Sequence, residues 1–411
     1  MSSFNNLSAQ EIDVTENITY LNITPFLLYF EDKSNHLCFE EIVTKKLRWT
    51  NLNKDYVNFG YTQSVYWFKI NIINRGMEVK QFLLEIDFPT LDKIEVFRQN
   101  SDKTFSKFET GDTFPFEQRE FKDHNFIFDL KLPPGTSTLY LKINNFGSFR
   151  FRTLLYQTEN FIEIRGKILP LLWLLYGSMV FIFILFMFLF LFSTDRNYLY
   201  FSLFTLLLLM FQLTHRGFAF KFLWPDWPWW TNVCSPITLN LMASFGGLFY
   251  CSIMETQKTS KRIDYFLKTF AYFIFPINAI ISLYIPLYLS LPVTYYLLQP
   301  MIIFLILWTI YYVVKGIRFA KYFILGILNV GFFTIIGSLT ALGKLPSTVF
   351  TEWSTEFGFV GLVLFSSLGI LDRIMNLNRE LIDYKAVIDH KNQELEATNE
   401  ELQAAMEELE S

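Results

Sequence analysis

Seven apolar stretches, at roughly 168–192, 198–215, 235–254, 265–287, 291–314, 320–342 and 354–374, dominate the middle of the chain. Each is close to the ~20 residues an α-helix needs to cross a bilayer. Lipid offers backbone polar groups no partner, so stretches of this kind must satisfy their own hydrogen bonds as helices. The chain has 411 residues and is only 18% charged, against about 25% in an ordinary soluble domain. A net charge of −4, with no dense Lys/Arg patch, leaves no footprint for nucleic acid.

Lys and Arg near the span ends set the orientation. With the N-terminal flank outside, the inner segments hold Arg196, Lys258, Lys261, Arg262, Lys268, Lys315, Arg318, Lys321, Arg373 and Arg379. The outer segments hold Arg165, Lys167, Arg216, Lys221 and Lys344. Ten inner against five outer charges puts the N-terminal domain outside and the C-terminus in the cytoplasm. The outer loop Trp224-Pro225-Asp226-Trp227-Pro228-Trp229-Trp230 reads as an aromatic anchor at headgroup depth.

Residues 25–158 read as strands. Tyr66, Phe68, Ile70 and Ile72 alternate with Trp67, Lys69 and Asn71. Phe82, Leu84, Ile86 and Phe88 alternate with Glu85 and Asp87, and Phe126, Phe128, Leu130 and Leu132 with Asp129 and Lys131. After Pro133-Pro134-Gly135, Leu139, Leu141 and Ile143 alternate with Tyr140, Lys142 and Asn144. Short strands at this spacing indicate an all-β sandwich. Cys38 has no partner within the domain, so its core must hold it together.

Beyond Asp372 the chain has no Gly or Pro and turns to heptads. Leu381, Ile388, Leu395, Leu402 and Leu409 recur at d, with Lys385, Asn392, Asn399 and Met406 at a. Leu at d with Asn at a favours a parallel two-stranded coiled coil. The last span and this coil are expected to form one helix.

Catalytic signatures are missing: no phosphate-binding glycine loop, HExxH pair or nucleophile elbow occurs. His390 falls at f, facing solvent, and reads as an ordinary coil residue. No Lys stands in 345–372, which excludes a Schiff-base retinal site in the last span. Lys268, Glu352, Glu356 and Asp372 lie near span ends, and deeper positions hold only neutral Asn240, Asn278, Gln299 and Asn329. Those four are expected to make interhelical hydrogen bonds. No catalytic residue, metal or cofactor is expected.

These parts in this order resemble bacterial seven-transmembrane receptors with diverse intracellular signalling modules, including their type 2 extracellular domain. In the membrane half the similar residues are Tyr176-Gly177, Asp195-Arg196-Asn197-Tyr198-Leu199-Tyr200, Gly217 and Leu223-Trp224-Pro225. Further matches are Arg318, Ala320, Gly326, Gly343, Ser367-Leu368 and Asp372-Arg373-Ile374. Outside, Gly60, Trp67, Asn74, Asp92 and Gly111-Asp112 fit the same pattern. The resemblance implies a jelly-roll domain similar to carbohydrate-binding modules, in a receptor of the bacterial inner membrane that regulates a cytoplasmic output.

The expected organisation is a polar segment over 1–24, a periplasmic β-sandwich sensor over 25–158, seven helices over 165–376, and a cytoplasmic coiled coil over 377–411. The exported start is expected to have lost a signal segment or to have been trimmed, and the coil to be cut short before an output domain. Expected partners are the lipid bilayer, an extracytoplasmic small molecule or glycan, and a second copy of the chain. Strand alternation turns Trp67, Lys69, Tyr140, Lys142, Arg150 and Arg152 away from the core, as an aromatic and cationic platform for such a ligand. The competing expectation is a transporter or lipid-handling protein whose outer domain captures substrate.

Overall fold

The computed structural model describes residues 11–14, 19–100, 102–341, 344–345 and 348–410, so most of the polar segment 1–24 lies outside the described residues. The first seven strands are β1 (Ile12–Asp13), β2 (Tyr20–Asn22), β3 (Leu28–Asp32), β4 (Thr50–Asn51), β5 (Val57–Tyr61), β6 (Val65–Asn74) and β7 (Lys80–Ile86). They are followed by β8 (Lys93–Gln99), β9 (Phe105–Thr110), β10 (Phe126–Leu132), β11 (Gly135–Asn144), β12 (Ser148–Phe151) and β13 (Thr153–Gln157). One sheet runs β4-β3-β6-β11-β8-β9, with β1 pairing parallel to β6. The facing sheet runs β10-β7-β13-β2, and a ribbon pairs β12 with β5.

The expected alternation holds. Tyr66, Phe68, Ile70 and Ile72 of β6 pack with Leu139, Leu141 and Ile143 of β11 and Phe82, Leu84 and Ile86 of β7 in one core. The opposite face of the large sheet carries a second cluster. There Trp67, Phe97 and Tyr140 lie under a short helix, α1 (Phe39–Thr44), together with Leu37, Leu47 and Trp49.

The chain leaves β13 directly into α2 (Thr158–Ser193), followed by α3 (Arg196–His215), α4 (Phe218–Phe222) and α5 (Pro228–Ile253). Then come α6 (Thr256–Thr259), α7 (Lys261–Thr269), α8 (Phe275–Ile281), α9 (Leu287–Val314), α10 (Ala320–Ala341), α11 (Val349–Glu352) and α12 (Ser354–Glu410). Among the described residues six helices are long and apolar enough to cross a membrane: α2, α3, α5, α9, α10 and α12.

The apolar stretch at 265–287 differs from expectation. It is not one regular helix but α7, a wide turn over Phe270–Ile274, and α8. Pro276 has no amide hydrogen to give the helix, and Phe275 reaches back five residues to the carbonyl of Phe270. Ser244 of α5 donates to the carbonyl of Ala271 at 2.5 Å, giving a carbonyl of the wide turn a side-chain partner.

Three of the four deep amides bond between helices. Asn278 donates to Asn240 Oδ1 and Thr294 Oγ1, both at 3.0 Å, and Asn329 donates to the Gly358 carbonyl at 2.8 Å. Gln299 departs from this, because its position on α9 turns it to the exposed surface. Helices α10 and α12 lie close because glycines permit it. A Cβ on Gly361 would fall 2.1 Å from Asn329 Nδ2. The α12 helix runs unbroken for 57 residues, ~86 Å at 1.5 Å each, so the last span and the heptad segment are one rod.

Candidate functional site

The six expected platform residues fall into two places. Trp67, Lys69, Tyr140 and Lys142 do share a face, where β6 and β11 pair Lys69 with Tyr140 and Trp67 with Lys142. That face is not open. Trp67 is fully buried, Tyr140 is 6% exposed, and Phe39 of α1 stacks on Phe97 at 4.1 Å over the same surface. Lys142 lies over the Trp67 ring at 5.1 Å, and Lys69 over Tyr140 at 5.7 Å, so both cations are spent on the covered rings. Strand periodicity orients a side chain but says nothing of what a distant segment lays over it.

Arg150 and Arg152 lie elsewhere, where the sandwich meets the helices. Arg152 is buried, not solvated. Its backbone N–H and Nε donate to Asp87 at 2.6 and 2.5 Å, and its Nη1 ion-pairs with Glu352, at the end of α11. Arg216, just past α3, donates from Nε to Glu356 at 2.5 Å and from Nη2 to the Glu352 carbonyl at 2.8 Å. An acid of the sandwich, an arginine of the sandwich and an arginine of the bundle therefore grip the start of α12. Burial disfavours the charge on Arg152, but Asp87 and Glu352 outweigh it and hold the guanidinium protonated.

A second set of charges fixes α2 beneath β7. Arg165 ion-pairs with the buried Glu85, which also accepts from Asn125 Nδ2 at 2.5 Å, and lies 3.3 Å from Asp123. His124 Nδ1 sits 2.9 Å from Asp123. Asp123 is held below the usual carboxylate range because His124 and Arg165 overcome its burial. Arg119 donates to the carbonyls of Asp123, His124 and Pro89 and lies over the Phe126 ring at 4.2 Å. Asp112 is fully buried near Asp92, whose charge adds to the cost of ionising it. Burial pushes Asp92 up to about 6, and burial plus Asp92 raise Asp112 well above its ordinary value.

Gly217 is where backbone meets backbone across this junction. Its φ is +74°, and a Cβ would lie 2.7 Å from Pro89 Cβ and 2.8 Å from the His124 carbonyl. Gly217→Ala is expected to cost about 1–3 kcal/mol, because it combines left-handed strain with a clash that backbone cannot relieve. Thermal unfolding of the full chain would register it, and an unchanged midpoint would mean the two halves are not docked in this way.

A separate cleft of about 390 Å³ opens between the sheets, lined by Arg98, Asn100, Ser106, Asp129, Lys131 and Thr138 among others. Its size lies in the range of small-ligand sites. Its charged groups are only partly committed: Arg98 ion-pairs with Glu120, and Gln81 donates to Asp129 at 2.9 Å.

Sequence reasoning placed Glu352 and Glu356 near a span end without a role and did not single out Arg216. Two acids opening an otherwise uncharged apolar stretch, with an Arg at the same outer level, were the available signal. Asp92 and Asp112 entered only through the family resemblance.

No curated protein matches the chain. Residues 24–157 match the family described as 7TMR-DISM extracellular 2, and residues 169–373 match 7TM diverse intracellular signalling. The first match ends where β13 gives way to α2, and the second spans the helices that the junction charges hold. The chain belongs to the seven-transmembrane receptors with diverse intracellular signalling modules, a membrane receptor with a type 2 extracellular domain at its N-terminus.

Proposed function

We propose that this receptor senses a polar extracytoplasmic ligand, a glycan being the leading class, and reports it by moving α12 within a homodimer in the bacterial inner membrane. The observation that carries this is the Asp87–Arg152–Glu352 linkage at the end of α11, together with Arg216–Glu356 in the first turn of α12, the helix that runs unbroken into the heptads. At the other end of the bundle Arg373 of α12 donates to the Ile253 carbonyl at 3.0 Å and to Glu255 at 2.9 Å. The rod is thus held where it enters and where it leaves. A small shift at the outer grip changes the rotation or register at the inner end, because a helix is stiff and its contacts switch between discrete arrangements.

The composite α7–α8 segment would serve as the seventh crossing, with the sandwich in the periplasm and the coil in the cytoplasm, an orientation supported by ten inner against five outer Lys and Arg. Leu381, Ile388, Leu395 and Leu402 are all more than half exposed on the single chain, at the seven-residue spacing that a second copy would cover. Asn392 and Asn399 on the same seam would fix its register. The Leu409 side chain lies outside the described residues. The ligand would enter the 390 Å³ cleft, whose hydroxyl, amide and charged groups suit a hydroxyl-rich molecule. This chain does no chemistry itself, and the output belongs to whatever module the coil reaches.

Single cysteines along the coil, in a background without Cys38, Cys234 and Cys251, test the dimer. Disulfide crosslinking of the full chain in membranes should be efficient at 388 and 395 and weak at 390. Efficient crosslinking at 390 with none at 395 would reject this seam.

A further inference from the structure

Five arginines stand at the junction, and four have their charge or donors accounted for. Arg152, Arg165 and Arg216 ion-pair with carboxylates, and Arg119 donates to three carbonyls. Arg150 differs. Its Nη2 meets His215 Nε2 at 3.3 Å, its guanidinium lies over the Phe88 ring at 5.4 Å, and among the described residues it forms no ion pair. Because Arg can only donate, His215 accepts on Nε2 and is neutral there. Burial and the nearby Arg216 both disfavour the charge on Arg150, and Asp87, which favours it, is committed to Arg152. Among the described residues, most of its five donors have no protein partner.

Three phenols, Tyr56, Tyr61 and Tyr295, complete the surroundings. Tyr61 of β5 and Tyr295 of α9 lie within electrostatic reach of Arg150, are 50% and 42% exposed, and make no hydrogen bond among the described residues. Arg150 and these two side chains come from the sandwich and from a membrane helix, at the outer end of the bundle. We propose that Arg150, Tyr61 and Tyr295 form a binding site for a phosphate-type oxyanion that cements the sandwich to the helices. The planar guanidinium suits a two-point grip on phosphate oxygens, and the hydroxyls supply further donors. The phosphate of a lipid headgroup and a soluble phosphate share this chemistry. The site is distinct from the cleft between the sheets and does not depend on the receptor reading.

The test uses the full chain in maltoside detergent, which carries no phosphate. Inorganic phosphate and, separately, phosphatidylglycerol are titrated while thermal unfolding is followed, with chloride as the control anion. The midpoint should rise with at least one of them. A rise with phosphatidylglycerol alone assigns the site to a lipid headgroup, and a rise with phosphate assigns it to a soluble oxyanion. Arg150→Gln should weaken the effective probe about tenfold or more, while Arg318→Gln at the opposite end leaves it unchanged. If neither probe raises the midpoint, or Arg150→Gln responds like the unaltered chain, the site does not exist. Should Arg150→Gln fail to fold, Arg150→Lys replaces it: the lysine keeps the charge but loses the fork, and an undiminished response would overturn the proposal.

Discussion

Arg152→Gln is expected to cost about 3–5 kcal/mol, the largest effect of any single change at the junction, because it strands two carboxylates. Asp87 and Glu352 would both lose their cation, with side chains only 12% and 23% exposed. Glu352→Gln should cost less, since Arg152 keeps Asp87 and its neutral partner can still accept a hydrogen bond. The double variant should then fall well short of the sum, as neighbours in one network do. Amide exchange across residues 349–356, followed alongside thermal unfolding, separates undocking from global loss. A cost below about 1 kcal/mol would reduce the linkage to an ordinary surface pair.

Asp92 makes the docked state sensitive to pH in the opposite sense to most acids. Its pKa rises from 3.8 to about 6, so the folded protein holds this proton more tightly than the unfolded chain does. Stability is full below pH 3.8 and falls as pH rises through about 6, after which the loss is complete. At 1.36 kcal/mol per pKa unit the loss is about 3 kcal/mol. Asp112, raised by burial and by Asp92, acts in the same direction. Asp123 acts oppositely but in a lower window, because its pKa is depressed and its contribution goes only as pH falls below the ordinary carboxylate range. Asp92→Asn should therefore raise the unfolding midpoint at neutral pH and flatten its slope between pH 4 and 6. The asparagine Oδ1 can still accept from the Phe146 amide, which Asp92 now holds at 2.5 Å. An unchanged slope would show that the proton is not held there.

Much of this architecture is legible without coordinates because it depends on local period and local hydropathy. Two-residue alternation located β6, β7, β10 and β11 and named their core sides correctly, and five of the seven apolar stretches became single long helices alongside the α12 rod. The fourth was harder to read, since hydropathy does not register the lost amide of Pro276 or the wide turn before it. The sites depended on contacts between distant segments. Trp67 faces away from the core as alternation requires, yet residues 37–49 cover it, and nothing near Trp67 announces that cover. Arg152 was assigned an outward direction correctly, but outward there means toward Glu352, 200 residues later.

The central claim is that the outer grip on α12 sets the state of the coil. Cysteine crosslinking at each position from 388 to 395, in membranes containing the full chain, reads that state directly. The profile should peak at 388 and 395 in the unaltered chain. In Arg152→Gln, with the protein folded, the peak should move to neighbouring positions or lose its seven-residue contrast. An identical profile in both proteins would contradict the account, because the sandwich would then have no hold on the coil.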